Sequence, residues 1–92
     1  MKVHIIGGGN LGASIAIGIA KFTTNNQVTV TRRNIIPISH LQDLGITITT
    51  DNTSNIQEAE IIILTIKPYQ VDTVLAEILP TISNKVIASA VS

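Results

Sequence analysis

The chain has 92 residues, with six basic and six acidic side chains, 45% hydrophobic residues and no cysteine. That length makes one small domain with a single core, and balanced charge with 2% aromatic content excludes a basic nucleic-acid groove or a base-stacking platform. Without cysteine there is no disulfide framework, thiolate nucleophile or Cys-ligated zinc, and the composition is compatible with a reducing compartment.

Lys2-Val3-His4-Ile5-Ile6 predicts a short strand, and Gly7-Gly8-Gly9-Asn10-Leu11-Gly12 runs from it into the apolar helix Ala13–Ala20, which should end near Phe22. Strand, glycine turn and helix together are the context that G-x-G-x-x-G needs for dinucleotide binding. Gly7 would allow the tight turn, Gly9 would let the backbone approach a pyrophosphate, and Gly12 would let the helix lie close to the strand. Phosphates would rest on unpaired N–H groups at the helix start, where the helix dipole is positive. The alternative is a βα turn that binds nothing. The apolar start is not read as a signal peptide, because His4, three glycines and Asn10 interrupt it. No apolar run approaches the roughly 20 residues needed to cross a bilayer, so a soluble, cytoplasmic protein without a membrane partner is expected.

Thr23-Thr24-Asn25-Asn26 reads as a polar turn with asparagines able to adopt left-handed geometry. Gln27–Thr31 alternates like a second strand and Arg32-Arg33-Asn34 follows it. Ile35, Ile36, Ile38, Leu41 and Leu44 form an approximate helical stripe, with Pro37 suited to its first turn and Gly45 to its C-terminal cap. Ile46–Thr49 is a third strand, Asp51–Ser54 a loop, and Ser54 with Gln57 has capping-box spacing for a brief helix. Glu60–Ile66 is a continuous rather than alternating run, as in a parallel strand covered on both faces. Lys67-Pro68-Tyr69-Gln70 turns the chain into a helix that buries Val71, Val74, Leu75, Ile78 and Leu79 and ends near Pro80. Lys85–Ala90 is a fifth strand.

Alternating strands and helices predict a Rossmann-type, doubly wound α/β fold with a parallel sheet in the order 3-2-1-4-5. The switch between strands one and four would set the glycine turn opposite Lys67-Pro68 across a ligand crevice. The fifth strand should leave an edge and part of one sheet face uncovered. Residues 1–92 are therefore read as a single cofactor domain whose substrate half is missing.

A carboxylate ending the second strand would bind the adenosine ribose and select NAD, but Arg32 and Arg33 stand there. Their planar cationic forks suit a 2′-phosphate, which points to NADP; the alternative is two solvated arginines. His4 and His40 have no metal-ligand spacing, so no metal is expected. Ser14 and Tyr69 read as surface and packing groups, and no acid–base pair is visible, so no residue is assigned as catalytic. A reductase does not require one here, because a nicotinamide carries the hydride.

With Ile6–Gly12, Arg32-Arg33-Asn34, Asp51-Asn52 and Leu64-Thr65-Ile66-Lys67-Pro68, nearly the whole chain resembles the N-terminal domain of pyrroline-5-carboxylate reductase. The resemblance implies an NADPH site formed by Gly7, Gly9, Asn10, Leu11, Gly12, Arg32, Arg33, Asn52, Lys67 and Pro68. Asn52 would reach the adenosine ribose or its phosphate, though an Asx turn is the competing role. Lys67 and Pro68 would shape the floor beneath the nicotinamide. Val91 and Ser92 stand where that family usually has Ala and Gly. It also implies hydride transfer to the C=N carbon of an imine substrate in proline biosynthesis, and a missing helical domain that holds substrate and forms a homodimer. Alone, residues 1–92 would bind cofactor without turnover. The alternatives are an F420-type or other NADP oxidoreductase and a non-catalytic nucleotide-sensing module.

Overall fold

β-Branched residues set the centre of the sheet. The computed structural model describes residues 1–22, 25–82 and 85–90. Strand β1 (Lys2–Ile6) lies between β2 (Gln27–Thr31) and β4 (Ile61–Leu64); β3 (Thr47–Thr49) flanks β2 and β5 (Val86–Ser89) flanks β4. All four pairings are parallel, and the order is β3-β2-β1-β4-β5, as the alternation of elements predicts. Ile5 pairs with Val30 on one side and Ile63 on the other.

Successive side chains point to opposite faces of a strand, and each face of this sheet has its own core. Val3, Ile5, Val28 and Val30 pack with Ala16 of helix α1 (Asn10–Phe22) and with Ile38, Leu41 and Ile46. On the opposite face, Ile6, Ile62 and Leu64 pack with Ile56, Ala59 and with Val74 and Ile78 of helix α2 (Val71–Ile78). The apolar run of β4 is thus covered on both sides, with Ile63 packed against the first core.

The segment after β2 is a 3₁₀ helix, Ile36–Leu44, with Pro37 in its first turn and Gly45 closing it at φ +79°. Ile35, Ile38, Leu41 and Leu44 recur every third residue, which matches 3.0 residues per turn better than 3.6. Ser54 does not cap the next short helix. That helix is a single 3₁₀ turn, Ile56–Glu58, entered through Asn55 in left-handed geometry at φ +61°, with no side-chain cap. Among the described residues Asn55 is the left-handed non-glycine residue, a role expected nearer Asn25 and Asn26; Thr23 and Thr24 of that expected turn lie outside the described residues. Leu79 does not go inward. It begins a 3₁₀ turn, Leu79–Thr81, that breaks the register of α2 at Pro80, and is 52% exposed.

All four residues of β5 are exposed, Val86 at 63%, in keeping with the edge expected from the sequence. Val91 and Ser92, the departures from the family pattern, lie outside the described residues. Because Ile5 is fully buried at the centre of the first core, Ile5→Ala should cost about 2–5 kcal/mol of unfolding free energy. Urea denaturation followed by circular dichroism measures this loss.

Candidate dinucleotide-binding cleft

The glycines between β1 and α1 do three different jobs. Gly7 has φ +104°, and a Cβ there would lie 2.9 Å from the Thr65 carbonyl oxygen. Its N–H donates to the Thr31 carbonyl at 2.8 Å. Gly12 is the point of closest approach: a Cβ would fall on the carbonyl oxygen of Gly7 and 2.7 Å from Thr65 Oγ1. Gly9 faces open space, with no atom within 4 Å of the position a Cβ would take. Gly8, outside the fingerprint, is also buried; its Cβ would lie 3.0 Å from Ile38 and 3.2 Å from Val30 and Arg32.

Thr65, just after β4, fastens the turn to the neighbouring strand. Its hydroxyl lies 2.5 Å from the Gly7 carbonyl oxygen and 3.1 Å from that of Ile6. The first helical hydrogen bond runs from Ala13 N–H to the Gly9 carbonyl at 2.9 Å. The N–H groups of Asn10, Leu11 and Gly12 therefore have no partner within the helix. No acidic residue stands in the first turn of α1 to occupy its positive end.

At the end of β2, Arg32 is half-buried and Arg33 exposed. Arg32 Nη1 donates to the Gly8 carbonyl at 3.2 Å, and its backbone N–H donates to Thr49 at 3.1 Å. The Asx turn of the next loop belongs to Asp51 rather than Asn52. The Thr53 N–H and hydroxyl donate to Asp51 Oδ1 at 2.9 and 2.7 Å, and these bonds hold the exposed carboxyl below its ordinary pKa. Asn52 turns toward the sheet, where its Oδ1 accepts from the Thr31 hydroxyl at 2.6 Å. Its backbone carbonyl lies 3.1 Å from His4 Nε2, which must carry the proton to make that bond. His4 is 1% exposed. Burial lowers its pKa, opposed in part by the bond to Asn52 and the charge of Asp51.

Across the switch point, Pro68 keeps Lys67 extended, with φ −77° and ψ 152°. The Lys67 N–H donates to Gln70 Oε1 at 3.0 Å. The resulting cleft has a volume of about 740 Å³, within the range of small-molecule sites. Gly7, Gly9, Arg32, Arg33, Asn52 and Lys67 line it; Asn10, Leu11, Gly12 and Pro68 stand beside it without lining it. Glu77 of α2 is the acidic side chain on its wall. Thr31, Thr65 and Gly8 escaped the sequence reading as contributors. Of these, Thr65 lay inside the Leu64–Pro68 motif, whereas nothing local marks Thr31. Tyr69, read as a packing group, is instead 81% exposed on the cleft wall. No group of three or more His, Cys, Asp or Glu residues suited to a metal occurs among the described residues. No helix among them is long and apolar enough to cross a membrane.

A parallel sheet with a switch-point cleft and a glycine turn opening onto a helix start defines a nucleotide-binding α/β domain of Rossmann type. Residues 2–92 match the family described as NADP oxidoreductase, coenzyme F420-dependent, and the chain belongs to that family. It is 36% identical over 93 residues to pyrroline-5-carboxylate reductase 1 of Dictyostelium discoideum, covering 98% of this chain and 17% of that protein. It is 40% identical over 80 residues to pyrroline-5-carboxylate reductase 2 of the same organism, covering 84% and 27%. A solved pyrroline-5-carboxylate reductase from Coxiella burnetii superposes with a TM-score of 0.80 at 27% identity, over 95% of this chain and 34% of the other. The chain thus spans about a sixth to a third of the proteins it matches.

Two expectations follow from this geometry. Gly12→Ala should destabilise the fold by at least about 1–3 kcal/mol through overpacking, whereas Gly9→Ala should leave stability within about 0.5 kcal/mol; urea denaturation separates them. Because the folded state lowers the pKa of His4, the unfolded chain binds the proton more tightly. Stability should therefore be unaffected by His4 well above pH ~6.5 and decline as pH falls through that value toward the lowered folded pKa. His4→Gln should flatten this part of the profile, measured by urea denaturation at pH 7.5 and 5.5.

Proposed function

We propose that the cleft binds NADPH and that the whole protein is an NADPH-dependent reductase of pyrroline-5-carboxylate. The carrying observation is the pair Arg32 and Arg33 on the cleft wall, where a dinucleotide fold selective for NAD places a carboxylate. The residues present fit the coenzyme. The open face of Gly9 admits a pyrophosphate against the backbone, and the unpaired N–H groups at the start of α1 would receive it. Arg33, exposed, is free to pair with a 2′-phosphate. Arg32 approaches the same group from its contact with the glycine turn, Asn52 faces the adenosine ribose, and Lys67 with Pro68 borders the nicotinamide end. When bound, NADPH would supply a hydride to the C=N carbon of pyrroline-5-carboxylate, giving proline. Residues 1–92 would orient the coenzyme. Substrate binding, imine protonation and dimer formation are assigned to a helical domain outside residues 1–92, in keeping with the chain's spanning 17–34% of the reductases it matches.

The family description favours one second reading, an NADP oxidoreductase acting with coenzyme F420. Assaying the whole protein for NADPH oxidation with pyrroline-5-carboxylate, and separately with oxidised F420, discriminates the two. Turnover with pyrroline-5-carboxylate by the whole protein, and coenzyme binding without turnover by residues 1–92, is the expected result; turnover by residues 1–92 alone would refute the division of labour. Replacing Arg32 and Arg33 together with Ala should weaken NADPH by about 1.5–3 kcal/mol and leave NADH nearly unchanged. Fluorescence titration with both coenzymes measures this, and equal losses would remove the arginines from the 2′-phosphate.

A further inference from the structure

We propose that Thr31 is a positioning residue for the coenzyme: it holds the Asn52 side-chain amide so that only N–H donors face the cleft, and the nucleotide atom that meets Asn52 is a hydrogen-bond acceptor oxygen. This rests on the nucleotide-binding reading above and adds a residue and an orientation to it.

The Thr31 side chain is fully buried, and its hydroxyl has one proton to place. Among the described residues the acceptor that proton meets is Asn52 Oδ1, 2.6 Å away. Rotating the Asn52 amide by half a turn would put its NH₂ against the hydroxyl and leave the buried O–H proton without an acceptor, which is costly. The amide is therefore locked with oxygen toward the sheet and nitrogen away from it. The other oxygen of Asn52, its backbone carbonyl, is taken by His4 Nε2 at 3.1 Å. Both oxygens are thus committed to buried protein donors, and Asn52 has donors left to offer a ligand.

Thr31 also joins this donor to the phosphate end of the cleft. Its backbone carbonyl accepts the Gly7 N–H at 2.8 Å, and Arg32 follows it directly and reaches the Gly8 carbonyl. One strand end thereby fixes the spacing between the glycine turn, the arginines and the Asn52 amide. Nothing in the local sequence pattern of Gln27–Thr31 distinguishes this hydroxyl from that of the exposed Thr47 in β3.

The test is coenzyme binding by the whole protein, read by fluorescence titration. Thr31→Val keeps the β-branched shape but removes the hydroxyl, and should weaken NADPH and NADH by a similar factor, about 3- to 10-fold, as for one net hydrogen bond. Thr31→Ser should restore binding to within about twofold. Asn52→Ala should lose as much as Thr31→Val, and the double variant no more than Asn52→Ala alone, because the two act through one contact. Unchanged binding by Thr31→Val, or losses that add in the double variant, would overturn the proposal. If Thr31→Val does not fold, the wild type decides: NADPH should shift the Asn52 Nδ2 proton resonances, and resonances that do not move would equally overturn it. A wild type that binds neither coenzyme would refute the nucleotide reading itself, whereas a wild type that binds with Thr31→Val unaffected refutes only the role of Thr31.

Discussion

The structure depends on one close approach, that of Gly12 to the carbonyl oxygen of Gly7 and to Thr65. At that point α1 passes over the junction of β1 and β4 with no side chain of its own in between, so its start is held against the carboxyl ends of two strands. A methyl group would push the helix outward. The Ala16 contact one turn later, fully buried against the sheet, would shift with it. The anion-binding end of the helix and the packing of the first core are therefore two results of a single steric constraint. The strand order supplies the rest. β1 is followed in space by β2 on one side and by β4 on the other, so the loops leaving β1 and β4 diverge to opposite faces and leave a crevice between them.

Much of this was legible because it rests on short-range patterns. The fingerprint glycines, the alternation of β2 and the unbroken apolar run of β4 each carry their own geometry, and together they leave few topologies. The features that were misread lie where two periods compete or where a partner is distant in sequence. Ile35, Ile36, Ile38, Leu41 and Leu44 fit an approximate α-helical stripe, but in the 3₁₀ helix Ile38 and Leu41 are buried against the sheet while Ile36 and Leu44 are exposed. Ser54 and Gln57 have the spacing of a capping box, but the backbone enters its turn one residue later through left-handed Asn55. Leu79 continues the stripe of α2 by spacing, yet Pro80 tightens the chain before that position can face inward.

His4 shows why a single polar residue in a strand is hard to assign from sequence. Its spacing to other residues excludes a metal site and suggests no other role, yet it is buried and bonded to Asn52, forty-eight positions away. The Thr31 contact is equally remote, across twenty-one positions. Burying a polar group is unfavourable unless it is hydrogen-bonded, so each of these residues requires a partner. Their sequence context does not name it.

The pairing register shows what seats the Asn52 loop. His4 lies beside Thr29, Ile6 beside Thr31, and these threonines lie beside Thr47 and Thr49 of β3, all on the face that carries Ile6 and Leu64. Toward β4 that face is apolar and α2 covers it. Toward β3 it becomes a row of hydroxyls, which a helix with an apolar stripe would cover poorly because their hydrogen bonds would go unmet. The polar loop meets two of them, Thr31 through Asn52 Oδ1 and Thr49 through the Asp51 N–H, while Thr47 is exposed. Asp51 tightens the loop through Thr53, while Asn52 spends one oxygen on Thr31 and the other on His4. The face therefore divides by chemistry, with an apolar half beneath α2 and a polar half beneath the loop. The cleft opens along the boundary between them, where the glycine turn, the arginines and Asn52 converge.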